Sequence, residues 1–348
     1  MNMKKICSAF NIKLACCLLL SGIMADHAQA QGMHYSQYYN APMLQNAANT
    51  GLMSDYDYQV GVNYRNQWNA LVPYTTFSGY ADFQAMRQKN QTSWLGAGIA
   101  FYKDKAGNGD LSLTQMQALI AYHVELGSTA MLSGGFSASY NQRSINYDKL
   151  TFNMQWDGVT FNTTHASGEP GGVRKTTFFD VGAGLNLAIY PNENVYIKIG
   201  GGVAHLNQPK ESLLGAVNKL GMRPTGNIDA LFRLGSYCVF NPSVYYSTQK
   251  SASELVYGAL FTALIGGEDR SGQHLVLGVY NRWNDAIIPT VGFDFDGFRL
   301  MASYDVTISD LSQYAGRNGA FEVGLRWQGL YRNLGGGGER RVMNCPRF

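Results

Sequence analysis

The residues that could carry out chemistry on a substrate form no recognisable catalytic pattern. The sequence contains no G-x-S-x-G nucleophile elbow, no phosphate-binding P-loop and no H-E-x-x-H zinc motif. Gly182-Ala183-Gly184 lacks the third glycine of a dinucleotide-binding loop, and the five histidines after residue 30 show no metal-ligand spacing. The sequence therefore predicts a protein that is not an enzyme and has no cofactor. A Ser and His site assembled only in three dimensions stays open as an alternative.

Three oxygen-bearing side chains lie close together in the connection that follows the third predicted strand. Asp104, Asn108 and Asp110 supply oxygen atoms of the kind that calcium prefers, but their spacing does not match an EF-hand loop. We interpret them as a solvated turn rather than a metal site. Asp296-Gly297 also predicts a hairpin turn, because Asp and Gly accept the backbone conformations that tight turns require.

The composition and the N-terminus indicate an exported protein. Charged residues make up 15% of the chain, against about 25% in a typical soluble protein. A basic start, an apolar stretch and Ala28-Gln29-Ala30 predict a signal peptide cleaved after residue 30. A lipoprotein signal is excluded because no apolar segment precedes Cys16 or Cys17. The net charge of +3 gives no electrostatic reason to expect nucleic acid as a partner.

Apolar residues alternate with polar or small residues in fourteen segments. Because successive side chains of a strand point to opposite faces, this pattern predicts strands with one lipid-facing and one lumen-facing side. The segments are 57–65, 77–84, 94–101, 115–124, 132–143, 179–187, 195–203, 227–234, 243–247, 254–263, 274–282, 287–293, 298–305 and 321–328. After residue 30, no stretch has the roughly 20 consecutive apolar residues of a spanning helix. The sequence therefore predicts an all-β, transmembrane, antiparallel up-and-down barrel of about 14 strands.

The predicted connections differ in length according to their side of the barrel. Connections from even to odd strands are short, whereas 144–174, 206–224 and 306–319 are long and all lead from odd to even strands. Outer-membrane barrels have short periplasmic turns and long outer loops, so both termini are expected in the periplasm. The predicted division is a signal peptide (1–30), an N-terminal segment (31–56), the barrel (57–333), and a glycine linker with a periplasmic tail (334–348).

The predicted lumen carries both signs of charge. The inward positions include Arg65, Arg143, Lys198, Arg233, Arg282, Arg299 and Arg326, together with Asp82, Asp180, Asp229, Glu254, Asp305 and Glu322. Such a balance favours a paired and partly filled lumen over a pore with one dominant sign, and an ordinary mixed polar lumen is the alternative. The stretch 32–54 is polar, aromatic and free of acidic or basic residues other than His34, so it could tuck into the barrel.

Cysteine is left at only two positions once residues 1–30 are removed. Cys238 falls between the eighth and ninth predicted strands and Cys345 in the tail, which places both in the periplasm. Because the periplasm is oxidising, one expectation is a disulfide that clamps the tail to the barrel rim. Two unpaired thiols are the alternative.

Short motifs spread along the chain provide a further clue. They are Tyr35-Ser36-Gln37-Tyr38 with Pro42 and Asn46 to Gly51, Tyr64 to Trp68, Tyr280 to Ala286, Ser303-Tyr304-Asp305, and Asn344 to Phe348. Together they resemble the PorP/SprF family of outer-membrane proteins from the type IX secretion and gliding machinery of Bacteroidetes. Ala47 departs from the family, in which proline is expected at this step, and this puts the local turn in question.

The resemblance implies a non-enzymatic outer-membrane component that serves export, anchoring or surface retention of proteins with a type IX C-terminal signal. It implies partners among the periplasmic proteins and lipoproteins of the machinery, in addition to outer-membrane lipid. Partner contacts are expected at both ends of the chain, at Tyr35, Gln37, Tyr38, Arg340, Arg341, Pro346, Arg347 and Phe348. The alternative function is a porin or small-solute transporter, which would conduct through an open lumen.

Overall fold

The computed structural model describes residues 35–53, 55–67, 73–86, 92–169, 171–213, 218–235, 237–266, 272–309 and 318–331. Most of these residues form strands. The strands are β1 (Tyr58–Gln67), β2 (Tyr74–Ala85), β3 (Ser93–Ala106), β4 (Leu111–Glu125), β5 (Ala130–Asn146), β6 (Val173–Asn192), β7 (Val195–Ala204), β8 (Lys210–Glu211), β9 (Asn218–Lys219), β10 (Arg223–Leu234), β11 (Cys238–Gln249), β12 (Ala252–Gly266), β13 (Gln273–Arg282), β14 (Ala286–Phe295), β15 (Phe298–Thr307) and β16 (Asn318–Gly329).

Fourteen of these strands close into one antiparallel barrel. Each barrel strand pairs with its neighbours in the chain, and β7 pairs with β10 because β8 and β9 form a separate two-stranded sheet in the connection between them. The first and last strands close the barrel, with Arg65 of β1 opposite Glu322 of β16. The predicted fold, an all-β antiparallel barrel of about 14 strands, is confirmed.

The two faces of the wall follow the predicted alternation. Leu185 and Phe261 point outward, with 63% and 40% of their surface exposed, whereas Asn186 beside Leu185 is 2% exposed. An apolar outward face suits hydrocarbon, which offers no partner to a polar group. Within the described residues, no helix is long and apolar enough to cross a membrane.

The connections separate by length between the two ends of the barrel. The three longest connections, which follow β5, β7 and β15, all join strand ends at the same end of the barrel, called here the long-loop end, and the opposite end is called the short-turn end. The predicted hairpin turn at Asp296-Gly297 is confirmed: both residues have positive φ, 46° and 82°, as a type I′ turn requires. The periplasmic position of the termini stays a prediction.

Short helical turns precede the barrel. They are 3₁₀ turns at Tyr38–Asn40 and Ala47–Asn49 on either side of a four-residue helix, α1 (Pro42–Gln45). Two further 3₁₀ turns, Tyr147–Lys149 and Asn153–Gln155, lie in the longest loop. The turns before β1 contact inward residues of the wall, and these contacts form the candidate site.

Candidate functional site

Residues Tyr35–Met53, called here the lumenal segment, lie inside the barrel. Their partners are inward side chains on strands around the whole circumference, from Arg65 of β1 through Asn186 of β6 and Ser243 of β11 to Glu322 of β16. A segment that touches inward residues on all sides of a closed barrel fills its lumen. Domain boundaries at 31–56, 57–333 and 334–348 stay predictions, since residues 1–34 and 332–348 lie outside the described residues.

The segment crosses the lumen from the long-loop end to the short-turn end. Ser36 contacts Arg65, near the end of β1, and Arg282, the last residue of β13. Gly51 contacts Trp94, near the beginning of β3, and Asp82, near the end of β2. The first described residues therefore lie near the long-loop end, and the chain runs through the lumen to the short-turn end, where β1 begins.

Ser36 lies at the centre of a buried charge network. Arg65 Nη2 is 2.9 Å from Asp305 Oδ2, and Arg65 Nη1 is 3.1 Å from Glu322 Oε2. Arg282 Nη1 lies 2.9 Å from the same Asp305 oxygen. The Ser36 hydroxyl donates to Asp305 at 2.7 Å and accepts from Arg282 at 2.7 Å and from Arg65. Arg282 also pairs with Glu254 and Asp285, at 3.1 and 3.0 Å, so that both guanidinium groups are held by carboxylates in a site from which water is largely excluded.

Glu322 also binds the main chain of the segment. Its two carboxylate oxygens accept the backbone N–H groups of Ser36 and Gln37, each at 2.9 Å. The Gln37 side chain donates to Ser303 Oγ and to the Glu322 carbonyl oxygen, again at 2.9 Å. The first described residues of the chain are therefore held by β15 and β16, the last two strands.

Aromatic rings continue the contact below this network. Tyr38 stacks on Tyr245 and Tyr39 stacks on Tyr280, both with ring centroids 5.2 Å apart. The Tyr38 hydroxyl forms a 2.6 Å hydrogen bond with Ser243 Oγ. Stacked rings bury a large area and tolerate a polar edge, which suits a lumen that is part apolar and part polar.

Amide side chains hold the middle of the segment. Asn46 Nδ2 donates to Asn186 Oδ1 at 2.9 Å, and Asn186 Nδ2 donates to Asn49 Oδ1 at 2.9 Å. Lys198 Nζ also donates to Asn49 Oδ1, at 3.2 Å. Asn46 Oδ1 accepts from the Ala48 N–H at 2.9 Å and so caps the 3₁₀ turn.

Near the short-turn end, the wall binds main-chain atoms. Asp82 accepts from the Gly51 N–H at 2.6 Å, and Trp94 Nε1 donates to the Gly51 carbonyl at 2.9 Å. His123 Nε2 donates to the Thr50 carbonyl at 2.8 Å, because a carbonyl can only accept. Three wall side chains are thereby paired with three main-chain groups of two consecutive residues.

Inward glycines bring the wall close to the segment. A Cβ atom at Gly96, Gly135 or Gly184 would lie closer than 3.0 Å to Thr50, Ala47 or Asn46 respectively. Real Cβ atoms essentially never approach so closely, so these positions require glycine if the segment is to stay in place. At Gly96 and Gly135 the wall is thus shaped to accept main chain, and at Gly184 it accepts the Asn46 side chain.

The comparison with protein families decides what kind of protein this is. The family of type IX secretion system membrane proteins PorP/SprF matches residues 27–327. The chain belongs to the PorP/SprF family. No curated protein matches it.

Two solved structures are similar to this PorP/SprF protein, and the first of them indicates its barrel fold. The toluene transporter TbuX of Ralstonia pickettii has a TM-score of 0.54 and 11% identity, covering 83% of this chain and 93% of that one. The toluene transporter TodX of Pseudomonas putida has a TM-score of 0.47 and 10% identity, covering 84% and 93%. Identity this low indicates the fold alone.

Four of the motifs that carry the family resemblance meet in one place, and the fifth, Asn344 to Phe348, lies outside the described residues. Ser36, Arg65, Arg282 and Asp305 each belong to a different motif, and they are mutual partners in the charge network. Ala47, where proline is expected, starts a regular 3₁₀ turn, because Asn46 caps it without help from a proline ring. The doubt about this turn is therefore resolved.

The predicted partner-contact residues fall into two groups. Tyr35, Gln37 and Tyr38 are 7%, 1% and 3% exposed, and in this arrangement they contact the chain's own wall. The tail positions Arg340, Arg341, Pro346, Arg347 and Phe348 lie outside the described residues. A role in partner contact stays a prediction for both groups.

The cysteine prediction is only half within the described structure. Cys238 is the first residue of β11, opposite Ala263 of β12, and is partly exposed. Cys345 lies outside the described residues, so the disulfide stays a prediction. The placement of Cys238 in a connection was wrong by the few residues by which β11 begins earlier than the alternation indicated.

The predicted solvated turn at Asp104, Asn108 and Asp110 begins later than expected: Asp104 lies within β3, and only residues 107–110 form the turn. Asp110 pairs with Lys105 at 2.7 Å and with Lys149, while Asp104 accepts from the Thr76 hydroxyl at 2.6 Å. Among the described residues, no group of three or more metal-ligating side chains is close enough to hold an ion.

Sequence reasoning missed the role of the inward glycines. Gly96 and Gly184 alternate with lipid-facing residues, so their inward position was predicted, but they were treated as neutral lumen positions. The signal was available, because several strands place glycine where other barrels place polar side chains. The presence of the segment in the lumen explains why glycine occupies these inward positions.

Proposed function

We propose that this PorP/SprF protein is a non-enzymatic outer-membrane component of type IX secretion that serves the export, anchoring or surface retention of exported proteins. The observation that carries the proposal is the filled lumen. The lumenal segment occupies the space through which a porin would conduct, and its ends are fixed to opposite ends of the barrel. Family membership supports a role in secretion.

The orientation forms part of the proposal. The long-loop end faces the outside and the short-turn end faces the periplasm, as is general for outer-membrane barrels. The tail that follows β16 then leaves the barrel on the periplasmic side. Its residues Arg340, Arg341, Pro346, Arg347 and Phe348 are proposed contacts for periplasmic proteins and lipoproteins of the machinery.

Deletion of the gene tests the proposed function. The expected result is an intact envelope from whose surface one or more exported proteins are missing, measured by mass spectrometry of surface and culture supernatant. Re-expression of the wild-type chain should restore them. An unchanged surface proteome together with reduced uptake of a small solute would contradict the proposal and favour a transporter.

Conductance separates the proposal from the porin alternative directly. In planar bilayers the wild-type protein is expected to show little open conductance, because residues 35–53 fill the lumen. A variant lacking residues 36–51 should conduct, provided that it keeps the heat-modifiable migration of a folded barrel. Equal, porin-like conductance of the two proteins would contradict a filled lumen in the membrane.

The proposed disulfide has its own measurement. If Cys238 and Cys345 are bonded, both thiols should resist alkylation in the absence of a reductant and become reactive after reduction. Full alkylation of both thiols without a reductant would rule out the bond, and with it the proposed clamp on the tail.

A further inference from the structure

We propose that the lumenal track, the wall surface that holds Tyr35–Met53, is a binding site for a polypeptide segment of an exported protein, which replaces the chain's own segment. The inference rests on the proposed secretion function. It deepens that function by naming the lumen as the site and the polypeptide main chain as the feature recognised.

The first argument is main-chain recognition at the short-turn end. Asp82 and Trp94 bind the N–H and the carbonyl of Gly51, at 2.6 and 2.9 Å. Gln84 Nε2 donates to the carbonyl oxygens of both Gly51 and Met53. These wall side chains bind atoms that every residue carries rather than a particular side chain.

The same kind of recognition occurs at two other levels of the lumen. Glu322 accepts the N–H groups of Ser36 and Gln37, and Thr225 Oγ1 donates to the Gln45 carbonyl at 3.2 Å. In peptide-binding proteins, hydrogen bonds to the main chain supply affinity, and pockets for individual side chains supply specificity. The track combines both features over its whole length.

The wall defines the chemistry of the polypeptide that fits. Inward glycines at 96, 135 and 184 leave room for main chain and small side chains only, as at Ala47 of the present occupant. Nearer the long-loop end, the rings of Tyr245 and Tyr280 stack on aromatic side chains of the segment. The fitting segment therefore has small residues beside the glycines and an aromatic residue beside the two tyrosines.

The segment forms no ladder with any described strand, so its exchange for another polypeptide breaks no sheet.

Site-specific photo-crosslinking in secreting cells tests the inference. Tyr245→p-benzoylphenylalanine places the probe in the track, where Tyr245 is 8% exposed, and the matched control Tyr246→p-benzoylphenylalanine places it on the lipid face, where Tyr246 is 46% exposed. The track probe is expected to form an adduct with a protein whose surface delivery requires this gene, identified by mass spectrometry. The lipid-face probe should not form that adduct.

A second pair of probe positions, Tyr280 and Val279, allows the same test if the Tyr245 variant does not fold. Tyr280 is 1% exposed in the track, and its neighbour Val279 is 57% exposed on the lipid face. If folded variants with either track probe support secretion yet crosslink only within the chain, the inference is wrong while the proposed function stands. If gene deletion leaves every surface protein in place, the proposed function itself fails.

Discussion

The two ends of the lumenal segment are held by different kinds of interaction. At the long-loop end, Ser36 lies among two arginines and two carboxylates, all of them buried. At the short-turn end, Gly51 is held by Asp82, Trp94 and Gln84, of which only Asp82 is charged. Buried charges therefore fix the segment at the long-loop end. Hydrogen bonds to the main chain and close packing on glycine fix it at the short-turn end. Loss of a charge should therefore be the more costly change.

Removal of one charge from the network should have the largest effect. Arg65→Met removes the salt bridge of the buried Glu322 carboxylate and leaves Asp305 with Arg282, which also pairs with Glu254 and Asp285. The expected loss is about 3–5 kcal/mol in the free energy of unfolding, the usual cost of an uncompensated buried charge. The measurement is a urea unfolding curve of the refolded barrel in detergent.

A second substitution sharpens this first prediction. Arg65→Met combined with Glu322→Gln removes one positive and one negative charge, so part of the lost stability should return. If the double variant were less stable than Arg65→Met alone by the full cost of a second break, the two residues would not act as a pair.

A methyl group on an inward glycine should have an intermediate effect. Gly135→Ala places a Cβ atom closer than 3.0 Å to Ala47, and such overpacking costs about 1–3 kcal/mol. The control is Gly134→Ala, one residue away on the lipid face, whose Cβ atom would meet only the Leu185 side chain at 3.4 Å. Equal unfolding curves for the two variants would show that the segment does not press on this strand.

Loss of a single hydrogen bond at the short-turn end should have the smallest effect. Trp94→Phe removes the bond to the Gly51 carbonyl, at an expected cost of about 0.5–1.5 kcal/mol. The low value applies because Gln84 Nε2 donates to the same carbonyl, so this oxygen stays paired. Thermal unfolding monitored by band migration measures the change. Trp327→Phe, on the outward face where Trp327 is 41% exposed, is the control.

The barrel could be predicted from the sequence because its signal is local. Alternation within β6 places Leu185 outward and Asn186 inward whatever the rest of the chain does, and the same holds for every barrel strand. The lengths of the connections follow from the same pattern. The start of β11 was missed because Pro242 and Asn241 interrupt the alternation there, although this strand pairs with β12 from Cys238 onward.

The network around Ser36 could not be predicted in detail because its partners are distant in sequence. Ser36 and Glu322 are 286 positions apart, and no local pattern states that they meet. The balance of positive and negative inward residues indicated that they form ion pairs. It did not show whether wall side chains pair only with each other or are also connected through residues of the lumenal segment. The inward glycines carried the missing information, since they mark where another main chain passes.

The hydrogen bonds between Glu322 and the Ser36 and Gln37 backbone constrain the order in which the segment docks and the barrel closes. Ser36 and Gln37 bind β16, which is synthesised after every other barrel strand. These residues therefore cannot form their native contacts until β16 is available. Since β1 and β16 form the seam of the barrel, the segment has to be inside before the seam closes, or be threaded in afterwards. Such a contact between the two extremes of the chain forms late and slowly. Docking of the segment on Glu322 is thus complete only when β16 is in place.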